Sequence, residues 1–259
     1  MPNQNINTID DVINALNQII TSSEKDESPL GYFAALYLQV TLRVQEGIKN
    51  NEFQNGPRME KLDVIFAKRY IDAYTFYQVG KPVTLSWLKA FGFSYNWRPI
   101  VLQHLLIGMN AHINLDLGIA AAEVSKGHDI EDLHHDFNKI NEILASMVDQ
   151  VEKDLTSIWR PLKSIIKWTK KADSFLIDFS MEKARDGAWK YAKSIAGLSG
   201  NDLQKMIQKR DQKVAKIANL IINPGLIINL LFFLIRLGER GSVSEKIKIL
   251  TNKHTSSPS

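Results

Sequence analysis

Residues 99–126 read PIVLQHLLIGMNAHINLDLGIAAAEVSK, and this stretch decides the fold. Pro99 suits the first turn of a helix, where its missing N–H costs nothing. Beyond it, apolar residues cover every side of the helix, which is the pattern of a segment buried in the middle of a protein rather than on its surface. Gly127-His128 stops it, and Asp129 is placed to cap the next helix. The chain as a whole agrees. Of 259 residues, 14 are glycine and 8 proline, too few for the many turns of an all-β protein, while 44% hydrophobic and 23% charged residues are those of a globular chain.

Helical spacing continues on both sides of this centre. Ile9, Val12, Ile13, Leu16, Ile19 and Ile20 mark a helix with Thr8 as N-cap. Further helices are expected over residues 31–48, 59–79 and 84–91, then over 130–158, 173–198, 201–222 and 224–237, with a last one near 244–250. Pro161 sets off a basic segment, residues 162–171. No low-complexity linker or repeat divides the chain. The expectation is one compact all-α domain over residues 1–259 around a central buried helix, with 251–259 a frayed tail. Residues 220–237 are apolar enough to require a membrane test, but Asn223-Pro224-Gly225 breaks the run and Asn229 lies inside it, so a buried helix is expected and no transmembrane span. Lys205, Lys209, Arg210, Lys213 and Lys216 lie just before it, which leaves peripheral membrane contact open beside a plain solvated face.

Several function classes drop out. With no cysteine there is no disulfide framework, thiolate metal site or cysteine nucleophile. The first residues lack a basic region followed by an apolar core, so a cytoplasmic protein is expected. A net charge of +4 gives no ground for a nucleic-acid partner. Gly-rich phosphate loops, His-Glu-x-x-His, Gly-x-Ser-x-Gly and paired Glu-x-x-His motifs are all missing.

What remains is a set of polar side chains on oily helices. His112 and Asp116 are four residues apart and share a face with Met109, Ile119 and Glu123, while Asn110 and Asn114 lie on the flanks. A histidine and a carboxylate so spaced can ligate one cation, or the carboxylate can orient the imidazole as a base. They can equally form a core hydrogen-bond network that fixes packing. Other helices show the same habit. Asp63 stands with Arg69 and Tyr70 beside an aromatic row of Phe66, Tyr70, Tyr74 and Tyr77; His134, Asn138 and Asn141 share one face; Asp178, Glu182, Arg185 and Trp189 share another. Bundles build metal and cofactor sites from such inward polar groups, and the aromatic row would supply apolar walls.

The segments from Leu62 to Tyr70 and from Gly108 to Leu117, together with Trp97-Arg98 and Ala188-Trp189, resemble a bacterial family, domain-of-unknown-function family 5995. The resemblance covers most of the chain, is most specific at residues 110–114, and implies a compact helical fold without an established reaction. It draws attention to Asp63, Arg69, Tyr70, His112, Asp116 and Trp189. The His-x-x-x-Asp spacing is also loosely similar to the helical zinc-dependent phospholipase C and single-strand nuclease group. That group uses many more histidines than the six present here, and the histidine it carries after the aspartate is missing from residues 118–122.

The expected function is that of an enzyme acting on a small hydrophobic or lipid-like molecule. In its simplest form this is metal-assisted hydrolysis with one or two divalent ions (Zn, Mn or Fe) held by His112, Asp116, His134 and Asp63. The alternatives are a metal-free acid–base cyclase, isomerase or lyase and a non-catalytic helical binding or scaffold protein. His112, Asp116, Asp63, Arg69 and Tyr70 are the candidate catalytic groups. Phe66, Tyr74, Trp97, Asn110, Asn114 and Trp189 are the expected substrate contacts.

Overall fold

The central run is helical from Val101 to Val124, and 89% of its most apolar stretch is buried inside the protein. The computed structural model describes residues 5–158 and 181–251. Among these the chain forms helices and no strand. In order they are α1 (Ile9–Lys25), α2 (Leu30–Lys49), α3 (Gly56–Gln78), α4 (Leu85–Phe93), α5 (Val101–Ala111), a π-helical turn (His112–Leu117), α6 (Gly118–Val124), a short 3-10 turn (Ile130–Leu133), α7 (His134–Ile158), α8 (Met181–Ile195), α9 (Gly200–Ile222), α10 (Leu226–Gly238) and α11 (Val243–Leu250). The basic segment 162–171, the start of the helix expected from 173, and Asp178 lie outside the described residues, as do residues 252–259 of the tail. Thr251, the first residue of the expected tail, is instead buried and bonds to the Ile247 carbonyl.

The regular helix expected over 99–126 needs one correction. Its middle turn is wound as a π-helix, in which the backbone bonds from i to i+5 and one turn accommodates an extra residue. That turn holds both His112 and Asp116. Around it, α5 packs on α2, α4 and α9, α6 packs on α3 and α8, and the π turn touches α3, α8 and α9. Two glycines permit these approaches. A Cβ on Gly108 would stand 2.6 Å from the Phe33 ring, and one on Gly118 would stand 2.7 Å from Tyr191 and 2.8 Å from the Ala188 carbonyl oxygen.

Helix starts are held partly by their own residues and partly by remote carboxylates. Thr8 caps α1 as its sequence suggests, accepting from the Asp11 N–H while Asp11 accepts from Thr8 N–H in return. Elsewhere a distant acid accepts from N–H groups at a helix start or just before it. Asp211 accepts from Leu85 and Ser86 N–H at 2.7 and 2.9 Å, and the fully buried Asp136 accepts from Gln54 and Asn55 N–H at 2.7 and 2.9 Å. Glu239 does the same for Val101, and Glu27 for Val243 and Ser244. Each of these bonds joins elements far apart in sequence and fixes where a helix begins.

The helix expected to be buried over 224–237 forms as α10 and meets α9 at a 66° bend. Phe232 and Ile235 pack inward, but Leu226, Ile227, Leu230, Leu234 and Leu237 are exposed, so only part of this helix is core.

Candidate functional site

Asp116 lies in the π turn of the central helix. It is buried, and both carboxylate oxygens accept N–H donors: Oδ1 from Arg69 Nε at 2.8 Å, and Oδ2 from Trp87 Nε1 at 2.8 Å. Oδ2 also faces His112 Nδ1 at 3.3 Å. Burial alone would push this carboxyl up, but the Arg69 charge, followed by the His112 and Trp87 bonds, outweighs it and holds the group below the usual carboxylate range. It therefore stays ionised, and an ionised carboxylate at Nδ1 keeps the proton on that nitrogen. His112 Nε2 is then an open lone pair. It is buried and has no hydrogen-bond partner. Burial, more than Asp116 offsets, lowers the imidazole pKa and keeps the ring neutral.

Aromatic rings fix the orientation of that imidazole. Phe66 stacks on its face with centroids 3.6 Å apart, Tyr37 meets it edge-on at 4.5 Å, and Phe33 packs at 5.7 Å from the side that Gly108 leaves open. His112 lies in the wall of a cavity of about 550 Å³, a size that suits a small-molecule ligand. The wall is mostly aliphatic and aromatic, with Leu36, Val40, Leu62, Met109, Ile140 and Met147 among its residues. Asp63 from α3 belongs to the same wall. Its Oδ2 is buried without a partner, and burial raises its carboxyl to about 7. Two titratable groups with opposite shifts thus face one apolar space: an imidazole kept neutral and a carboxyl kept protonated up to near neutral pH. Arg185 from α8, with Glu152 and Thr156 from α7, adds to the polar lining.

The other residues singled out from sequence fall in different places. Arg69 and Asp116 line a second, more polar cleft behind the π turn, together with Trp87 and Asp211. Tyr70 is buried among Phe33, Trp87 and Phe91; its hydroxyl has no partner, and burial keeps it protonated. Tyr74 lines a third cleft beside Ser22 and Tyr95. Asn110 and Asn114 turn toward α9. Asn110 Nδ2 donates to the Val214 carbonyl at 3.0 Å, and Asn114 Nδ2 donates to Asn110 Oδ1 at 3.1 Å, so both serve packing of the central helix. Trp97 is exposed and lies near Phe233 of α10. Trp189 packs on Phe137 and on His134, and His134 sits at the surface bonded to Asn138. Glu123, about two turns beyond Asp116, points to solvent. Among the described residues no three His, Asp or Glu side chains gather in a group that could hold a metal ion.

Residues 9–224 match a family of unknown function, DUF5995. The chain belongs to that family. No curated protein and no solved structure matches it, and the looser likeness to the zinc-dependent phospholipase and nuclease group finds no support among them. The DUF5995 match spans all of the helices that build the cavity, from α1 through α9, and ends before α10.

Sequence reasoning passed over three contributors to this DUF5995 site. Trp87 sits in a short helix and gives no sign of donating to Asp116. Phe33 and Tyr37, which hold the imidazole, look like ordinary core residues of α2. The one available signal was Gly108, a small residue in an oily helix that marks where a bulky partner comes close.

Proposed function

We propose that this protein is a metal-free acid–base enzyme acting on a small apolar molecule bound in the cavity between α2, α3, α5 and α7. The observation that carries this is the pairing of His112 Nε2 and Asp63 Oδ2, both buried, both without partners and both in the wall of one apolar cavity. His112 would take a proton from the substrate, with Asp116 stabilising the imidazolium that forms; protonated Asp63 would return one at another atom. The substrate gains and loses one proton, so the outcome is an isomerisation, a cyclisation or an elimination. Arg69 and Trp87 act only through Asp116 and are positioning residues. Metal-assisted hydrolysis has less support, because both Asp116 oxygens already accept N–H donors and the Arg69 cation lies against one of them.

Incubating the protein in D2O with a panel of apolar carbonyl and olefinic compounds tests this by mass spectrometry. Deuterium should enter a compound that the wild type turns over, and folded His112→Gln should lose that incorporation. Incorporation retained at the wild-type rate by folded His112→Gln would remove the proposal. A folded variant whose only defect is stability would favour a purely structural network.

A lipid-like substrate would come from a membrane, and we propose that the α9–α10 elbow rests on an anionic bilayer surface. On α9, Lys209, Lys213, Lys216 and Leu220 follow at helical spacing and are all exposed. On α10, Leu226, Leu230, Leu234 and Leu237 continue an exposed apolar face. Cations leading into a leucine stripe match the charge and depth of an anionic lipid interface.

A further inference from the structure

Arg185 has no role in the acid–base step, yet it is a cation buried in the cavity wall. It is 4% exposed. Nε donates to Asn141 Oδ1 and Nη2 to the Phe137 carbonyl, both at 2.5 Å, and the guanidinium lies 4.5 Å above the Phe137 ring. Every one of these partners is neutral. Among the described residues no carboxylate comes within ion-pair distance of it. Burial draws its pKa down to about 9 against the charge of the neighbouring Asp186, which raises it without forming an ion pair, and the group stays charged at neutral pH. A buried cation is normally paired, because desolvation costs several kcal/mol per ion otherwise. The two acids in the same wall do not meet this need: Asp63 makes no ion pair with Arg185, and Glu152 stands on the exposed side of α7.

We infer that Arg185 is the anchor for an anionic head group, so that the cavity takes an amphiphile with a carboxylate or phosphate at one end and an apolar body against Leu36, Val40 and Met147. The guanidinium is held from one side by Asn141 and Phe137, which orients its planar fork before the ligand arrives. An arginine fixed in this way presents parallel N–H donors to two oxygens of an anion, and the low-polarity wall strengthens that contact. The apolar body fills the remaining volume and brings its reacting carbons to His112 and Asp63. This inference rests on the apolar-substrate reading above and narrows it to one chemical class.

Binding of dodecanoate, dodecyl phosphate, dodecanol and dodecylamine to the full-length protein, measured by calorimetry, tests it. Dodecanoate or dodecyl phosphate should bind about tenfold to a hundredfold more tightly than dodecanol, the range expected for a hydrogen bond to a charged group. Dodecylamine should be the weakest, and the order of the first two identifies the head group. Arg185→Met should bring the anions down to the level of dodecanol, and Arg185→Lys should keep part of the preference. Equal affinity of the wild type for dodecanol and both anions would overturn the inference while leaving the apolar cavity intact. Binding of none of the four would instead count against the cavity reading on which it rests. The comparison within the wild type stands even if Arg185→Met fails to fold.

Discussion

At the residue scale, His112 and Asp63 make opposite demands on pH. The folded chain keeps His112 neutral, and His104, buried beside Tyr32 and Phe93, is pushed down to about 3. Unfolding lets both imidazoles take up protons near their ordinary pKa of about 6.5, so stability from these residues is full above that pH and is lost below it. Asp63 runs the other way. Folded, it holds its proton up to about 7, whereas the unfolded chain releases it near the ordinary carboxyl value of 3.8. Its contribution is therefore full at low pH and is lost as pH rises through about 7. Thermal melts of Asp63→Asn should coincide with wild type near pH 4 and lie above it at pH 8. A melting difference that does not change with pH would mean Asp63 is not buried as described. The His112–Asp116 pair was legible in the sequence from its spacing alone, and so was Asp63 as a candidate. Trp87 was not, because nothing in a short apolar helix signals that its indole N–H will meet a carboxylate 29 positions away.

At the element scale, the helices could be read from hydrophobic patterning because the outer ones bury one side and the central one is apolar all round. The start of α8 and the end of α1 aside, α1 through α11 begin and end within a few residues of their expected places; α1 runs on past Ile20 to Lys25. The π turn could not be read in this way. Its sequence, from His112 to Leu117, has ordinary helical periodicity, and nothing in it marks the extra residue of a turn that α3, α8 and α9 pack around. The close approach of α8 to α6 gives a direct check. Gly118→Ala places a methyl 2.8 Å from a backbone oxygen that has no rotamer to give, so a loss of about 1–3 kcal/mol is expected in denaturant unfolding. The same substitution at Gly92, where a Cβ would meet nothing within 4 Å, should cost far less. Remote capping was equally hidden from the sequence. Asp211→Ala removes two charge-assisted bonds to the first turn of α4 and should destabilise by about 2–3 kcal/mol. A near-neutral result would show that α4 does not depend on α9 for its start.

At the scale of the whole molecule, the cavity depends on helices distant in sequence. Asp63, His112 and Arg185 come from α3, the central helix and α8, and no local pattern tells which polar residues of a bundle converge. That is why His134 and Trp189, on faces as suggestive as any other, lie together away from His112, and why Trp97 lies beside α10. The outer face of α9 and α10 gives a test of its own. Flotation with phosphatidylglycerol vesicles should carry the protein, and phosphatidylcholine vesicles should carry much less. Replacing Lys209, Lys213 and Lys216 together by Gln should weaken the anionic preference, and Leu230→Ser with Leu234→Ser should weaken binding to both. Equal flotation on the two lipids would remove the electrostatic part of the proposal, and no flotation on either would remove the whole of it.

The central claim is that a neutral imidazole, oriented by Asp116, presents an open Nε2 to a ligand in an apolar cavity. Nitrogen NMR of protein labelled at histidine reads this directly. At pH 7 the His112 signals should be those of the tautomer protonated at Nδ1, and the Nε2 resonance should shift when an amphiphile such as dodecanoate fills the cavity. An imidazolium, a ring protonated at Nε2, or a resonance that ignores a bound ligand would contradict it.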